Sequence, residues 1–155
     1  MNQKTDQEAA QQLAEQVADA MWPRDNTPRL LGMQRQAVGP GFARIAMAVR
    51  EDMTNGHHSC HGGIIFALAD TAFAYACNSG NQTTVAAAAS IDFLSPAQRG
   101  ETLVAEAREQ WQAGRSGVYD VDVRTADGRA VALFRGKAHR LNGTVIDNHA
   151  PGEQK

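Results

Sequence analysis

The chain has 155 residues and a formal charge of −2, and 27 of its 66 apolar residues are alanine. Its length is that of one domain, at roughly 150 residues each. Fifteen Lys+Arg against 17 Asp+Glu lacks the basic excess of a nucleic-acid binder, and falls short of the net charge that disorder requires even with Leu, Ile, Val and Phe totalling only 28. No window approaches the ~18 uninterrupted apolar residues of a membrane span, and the polar, acidic start is unlike a signal peptide, so a cytoplasmic protein without membrane partners is expected. Cys60 and Cys77 are the only cysteines, which implies no disulfide framework.

Residues 5–22 set Leu13, Val17 and Met21 at four-residue steps among Ala, Gln and Glu, predicting a surface helix that Pro23 ends. From Leu30 the period falls to two. Ile45, Met47 and Val49 alternate with Arg44, Ala46 and Ala48 in one strand, and residues 30–38 are its expected hairpin partner across Gly39-Pro40-Gly41. After a polar loop, 51–61, comes the run from Gly62 to Cys77, too long for a strand and apolar on every side, hence a helix buried nearly all round. Strands are expected at 83–94, 102–113, 118–125 and 129–140, with Asp127-Gly128 a strong hairpin turn. Their short connections make them antiparallel.

The fold class is therefore α+β, an antiparallel sheet wrapped around a long central helix. Residues 1–25 read as an N-terminal helix, 26–142 as the domain proper and 143–155 as a disordered tail. One helix and one sheet leave strand edges and part of the helix uncovered, so an antiparallel edge-to-edge dimer is expected. The alanines of the helix and of 86–89 fall where a sheet would wrap closely around it.

Asp70 is the only ionisable carboxylate in the apolar helix, which carries no Lys, Arg or His to pair with it. Burying an unpaired carboxylate is costly, so Asp70 reads as a nucleophile or as a general base on water. Gly62 and Gly63 open the helix, where backbone N–H groups lack internal partners and the dipole is positive. Together these make an oxyanion hole. Eight residues separate Gly62 from Asp70, roughly 12 Å of helix, too far for both to serve one bond within a chain. In the preceding loop Asn55 and His61 are candidates to orient substrate or water, with His57 and His58 exposed. Its histidines and Cys60 match no metal-ligand spacing, and neither metal nor cofactor is expected.

These residues resemble a known family. Asn55-Gly56, Cys60-His61-Gly62-Gly63, the run from Phe66 through Leu68-Ala69-Asp70-Thr71-Ala72-Phe73-Ala74, Ile91-Asp92-Phe93-Leu94 with Pro96, and Val131-Ala132 with Phe134-Arg135-Gly136-Lys137 look like the hotdog-fold acyl-CoA thioesterases of the phenylacetate-degradation (PaaI) type. The similarity covers about residues 30–142. It implies a hotdog dimer, commonly paired into a homotetramer, that hydrolyses acyl-CoA without a metal. It also implies that Asp70 is the catalytic carboxylate, that the Gly62 N–H polarises the carbonyl, and that Asn55 and His61 stand near the attacking water. Asp70 would come from one subunit and the helix-start donors from the other, and the acyl group would be a ring-substituted or ring-cleavage-derived phenylacetyl type.

Coenzyme A carries phosphates, for which Arg99, Arg115, Arg135, Lys137 and Arg140 are candidate partners, and Gly63 is a further candidate substrate contact. A hydratase or dehydratase on the same fold would need a His opposite the carboxylate, from His61 or His139. A non-catalytic acyl-CoA-binding module is the remaining alternative.

Overall fold

The structure, a computed structural model, describes residues 2–147. Six strands form one antiparallel sheet: β1 (Gln34–Gly39), β2 (Phe42–Ala48), β3 (Thr84–Phe93), β4 (Thr102–Ala113), β5 (Ser116–Thr125) and β6 (Ala130–Arg140), in the order β1-β2-β4-β5-β6-β3. The helices are α1 (Gln3–Met21), α2 (Asn26–Leu30) and α3 (Gly62–Cys77). α3 touches all six strands. Six strands laid flat span roughly 24 Å, about twice a helix diameter, so the sheet must curl around α3 to do this.

Alternation puts Ala43, Ile45 and Met47 of β2, Leu103, Ala105 and Ala107 of β4, and Tyr119, Val121 and Val123 of β5 in the core against Leu68, Ala69, Ala72, Phe73 and Ala76 of α3. Small side chains on both sides let the layers approach. At Gly136 the approach is closest, for a Cβ there would stand 2.8 Å from the Phe73 ring. That ring also packs edgewise on Tyr119, with centroids 5.6 Å apart.

Three local expectations change. Residues 30–33 are not strand: Leu30 ends α2, with Pro28 in its first turn, where a missing N–H costs nothing, and Gly32 at φ +64° turns the chain toward β1. Residues 143–147 are not a loose tail, because Asn81 Oδ1 accepts from the Val145 and Ile146 amides at 3.0 and 2.8 Å, and Asn81 Nδ2 donates to Ile146 O at 3.0 Å. The rest of the expected tail, 148–155, lies outside the described residues. Ala86–Ala89 do not line the core either, since β3 is an edge strand and all four are exposed.

The two sheet edges differ. α1 packs along β1 and its Gln11 Nε2 donates to Val38 O at 2.7 Å, which blunts that edge. β3 has no such cover among the described residues.

Candidate active site

The loop before α3 is a tight, internally bonded unit. Asn55 N–H donates to Ser59 O at 2.9 Å, and Asn55 Oδ1 accepts from the His57 amide at 2.9 Å and from Ser59 N–H and Oγ at 3.4 and 3.3 Å. Cys60 N–H donates to Ala97 O at 2.7 Å and His61 N–H to Met53 O at 2.8 Å, which fixes where the helix starts. Asn55 thus spends its carbonyl on the loop, a role its Asx chemistry favours. Its Nδ2 donors make no hydrogen bond among the described residues.

His61 is the N-cap of α3. Its Nδ1 accepts the Gly63 amide at 3.1 Å, and its carbonyl accepts Ile64 N–H at 2.9 Å and Ile65 N–H at 3.2 Å. Of the four amides that begin the helix, Gly62 alone keeps a donor without a partner among the described residues. The Gly63 amide, paired with His61 Nδ1, is not free for substrate. The accepting Nδ1 also places the proton of neutral His61 on Nε2.

The Phe93 ring lies against Gly62, where an added Cβ would stand 3.0 Å from Phe93 Cζ. With Cys60, Ile65, Leu94 and Pro96 it lines a recess of about 380 Å³ beside the free amide. Phe93 itself is 54% exposed. Burial pushes the Cys60 thiol up to about 11, so it stays protonated near neutral pH and is a poor nucleophile. His57 and His58 are exposed, and among the described residues no three metal-ligating side chains come together.

Exposure on α3 follows one stripe through Gly63, Phe66, Ala67, Asp70 and Ala74, so the helix is not buried all round. Asp70 is half-buried there and makes no hydrogen bond or ion pair among the described residues. Burial first, and then the negative charge of Asp25, hold its carboxyl above the ordinary value of 3.8. Asp25 lies in the segment between α1 and α2 and accepts a hydrogen bond from Tyr75 Oη at 3.3 Å. Sequence reading passed over both. Nothing local marks Asp25, whose approach to α3 depends on how the N-terminal segment folds back, and Phe93 was visible only as part of a motif.

Within one chain the structure does not bring Gly62 and Asp70 together, since eight residues of one helix separate them by about 12 Å. The candidate cations mostly have other partners. Arg99 pairs with Glu51 at 3.2 Å, Arg135 is bidentate to Asp120 at 2.6 and 2.8 Å, and Arg115 donates to Arg140 O and Asn142 Oδ1 at 3.0 and 2.7 Å. Lys137, in register with Ala88 beside the open edge, makes no such bond among the described residues.

Residues 57–132 match the thioesterase superfamily. The chain is 48% identical over 130 residues to the acyl-coenzyme A thioesterase PaaI of Escherichia coli, covering 84% of this chain and 93% of that protein. It is 37% identical to a putative esterase of Archaeoglobus fulgidus over 84% of this chain and 85% of that one. Among solved structures, E. coli PaaI, from the phenylacetic acid degradation operon, superposes with a TM-score of 0.85 over 86% of this chain and 97% of that chain.

Proposed function

This chain belongs to the thioesterase superfamily, with the hotdog fold and PaaI-type sequence, and within that family we propose how its site works and on what. It is an acyl-CoA thioesterase. We infer that its substrates are phenylacetyl-type thioesters, ring-substituted or derived from ring cleavage, in aromatic-acid degradation. Support comes from the relative's operon and from the apolar recess beside Gly62.

The observation that carries the mechanism is the Gly62 amide, the one at the start of α3 without a partner among the described residues, together with Asp70, likewise unpaired among them and too distant to meet it in the same chain. The open β3 edge supplies the remedy: two copies pair there, and Asp70 of one subunit faces Gly62 of the other. The thioester oxygen accepts from Gly62 N–H. Asp70, held more basic than an ordinary carboxylate, takes a proton from water as that water's oxygen bonds to the carbonyl carbon. The tetrahedral oxyanion then collapses, the C–S bond breaks, and the leaving thiolate of CoA takes the proton that Asp70 holds as the acid departs. Asn55 and His61 fix the loop and the helix start that aim the amide, and Lys137 meets a CoA phosphate. The hydratase reading is narrowed to His61 Nε2 or His139 as proton shuttle, because His61 Nδ1 is already the helix cap.

Mixing two inactive variants tests the shared site. Gly62→Pro removes the donor and Asp70→Asn removes the base. After subunit exchange a mixed dimer holds one complete site, so release of CoA from phenylacetyl-CoA returns. If mixing restores nothing while sedimentation shows mixed dimers, the two groups do not meet across subunits.

A further inference from the structure

The far end of α3 borders a second, half-open cavity of about 530 Å³, lined by α1, the β1–β2 turn and residues of β4, β5 and β6. Ala10, Leu13, Pro40 and Phe42 give it apolar walls. Most of its polar atoms are engaged. Tyr119 Oη donates to Glu109 Oε2 at 2.9 Å, Gly41 N–H to Ser79 Oγ at 2.8 Å, and Gln82 Nε2 to Leu141 O and Gly143 O at 2.7 and 3.0 Å. Arg140 is the exception. Its Nε is buried without a hydrogen-bond partner, and no carboxylate lies within ion-pair distance of its guanidinium among the described residues. Only its backbone is tied, N–H to Arg115 O at 2.8 Å.

Arg140 as a whole is only half-buried and lines the cavity without a carboxylate partner among the described residues, and the planar fork of a guanidinium suits a carboxylate. We propose that this cavity binds a small monocarboxylic acid, its carboxylate on Arg140 and its apolar body against Leu13 and Phe42 beneath α1. Glu109 and Arg108 also line the cavity, and Arg108 already pairs with Glu106 at 3.2 Å, so beside Arg140 the exposed Glu109 disfavours a second carboxylate. The sixteen residues of α3 put the cavity about 20 Å from Gly62. The free acid released by thioester hydrolysis is of this class; that link rests on the function proposed above, whereas the site does not. Because α1 forms one wall, an occupant ties that helix to the sheet and raises the melting temperature.

The test is a two-dimensional amide NMR titration of the ¹⁵N-labelled full chain with phenylacetate, its neutral analogue 2-phenylethanol and the dianion phenylsuccinate. Phenylacetate is expected to shift Leu13, Gly41, Ser79 and Tyr119 saturably. The other two should bind at least about tenfold more weakly, as should phenylacetate to Arg140→Gln, the loss of one charge-assisted hydrogen bond. Ala10→Phe, which fills the cavity, should abolish the shifts and decides the matter if Arg140→Gln does not fold. Shifts confined to the surroundings of Gly62 and Asp70, equal binding of 2-phenylethanol, or undiminished binding to the folded variants would overturn the proposal. CoA release by the wild type reports separately on the thioesterase reading.

Discussion

At its C-terminal end α3 is closed off: Asn78 Nδ2 donates to Ala74 O and Thr84 O at 2.9 and 3.1 Å, Asn78 Oδ1 accepts Thr84 N–H at 2.9 Å, and Ser79 Oγ donates to Ala76 O at 2.8 Å. At the N-terminal end His61 occupies one amide and two others close on its carbonyl, yet Gly62 N–H is left over. Asn78 is 6% exposed, so a stray polar group there would go unsatisfied, whereas Gly62 borders an open recess. One end of the helix spends its hydrogen bonds on the fold, and the other leaves one donor open among the described residues.

The largest way to break this contrast is Asp70→Asn, which should cut CoA release on the order of 10²–10⁴-fold. The folded pKa of Asp70 is raised, so its contribution to stability is present below the ordinary carboxylate range and is lost as pH rises through its own value. At neutral pH the charged form is a burden, and the same variant should melt at a higher temperature than wild type. For the same reason the acidic limb of kcat/KM should lie above 3.8 and vanish in the variant. A variant that keeps wild-type turnover would remove Asp70 from the chemistry.

Gly62→Pro comes next. Proline is at home in the first helical position and the lost N–H has no protein partner, so folding should be spared while kcat falls roughly 10²–10³-fold. Gly62→Ala makes the same close contact with Phe93 but keeps the donor, and should lose only about a few-fold. Equal losses in the two would mean that the ring, not the amide, matters.

Asn78→Ala at the closed end should do the reverse, costing about 2–4 kcal/mol in denaturant unfolding and leaving kcat per folded molecule unchanged. The smallest effect is expected of His61→Ala. Loss of the cap should cost about 1 kcal/mol and free the Gly63 amide, read as slowed turnover with little change in fold.

Much of this contrast is readable without coordinates. The helix is read at Gly62–Cys77, and five of the six strands fall close to their expected positions, because the switch from period two to an unbroken apolar run is local. The strand expected from Leu30 is present as the hairpin partner of β2 but begins only at Gln34, because Asn26-Thr27-Pro28 carries helix-start chemistry that an apolar pattern does not display. Asp70 stood out as a charge in an apolar helix. Asp25 did not, since its effect on Asp70 arises only when a segment 45 residues away in sequence folds back.

Alanine shows the same division. Composition and spacing by themselves determined that small residues concentrate on α3 and at 86–89, and that one helix must be wrapped by a sheet. Tertiary structure decided which alanines are core: Ala69, Ala72 and Ala76 are buried under the sheet, while 86–89 lie exposed on the edge strand β3. It likewise decided that, among the described residues, one donor stays free at Gly62 and the Arg140 Nε is buried without an acceptor. Periodicity is a property of neighbouring residues and survives in the sequence. Burial and hydrogen-bond satisfaction depend on which distant segments arrive, and exist only once the chain has folded.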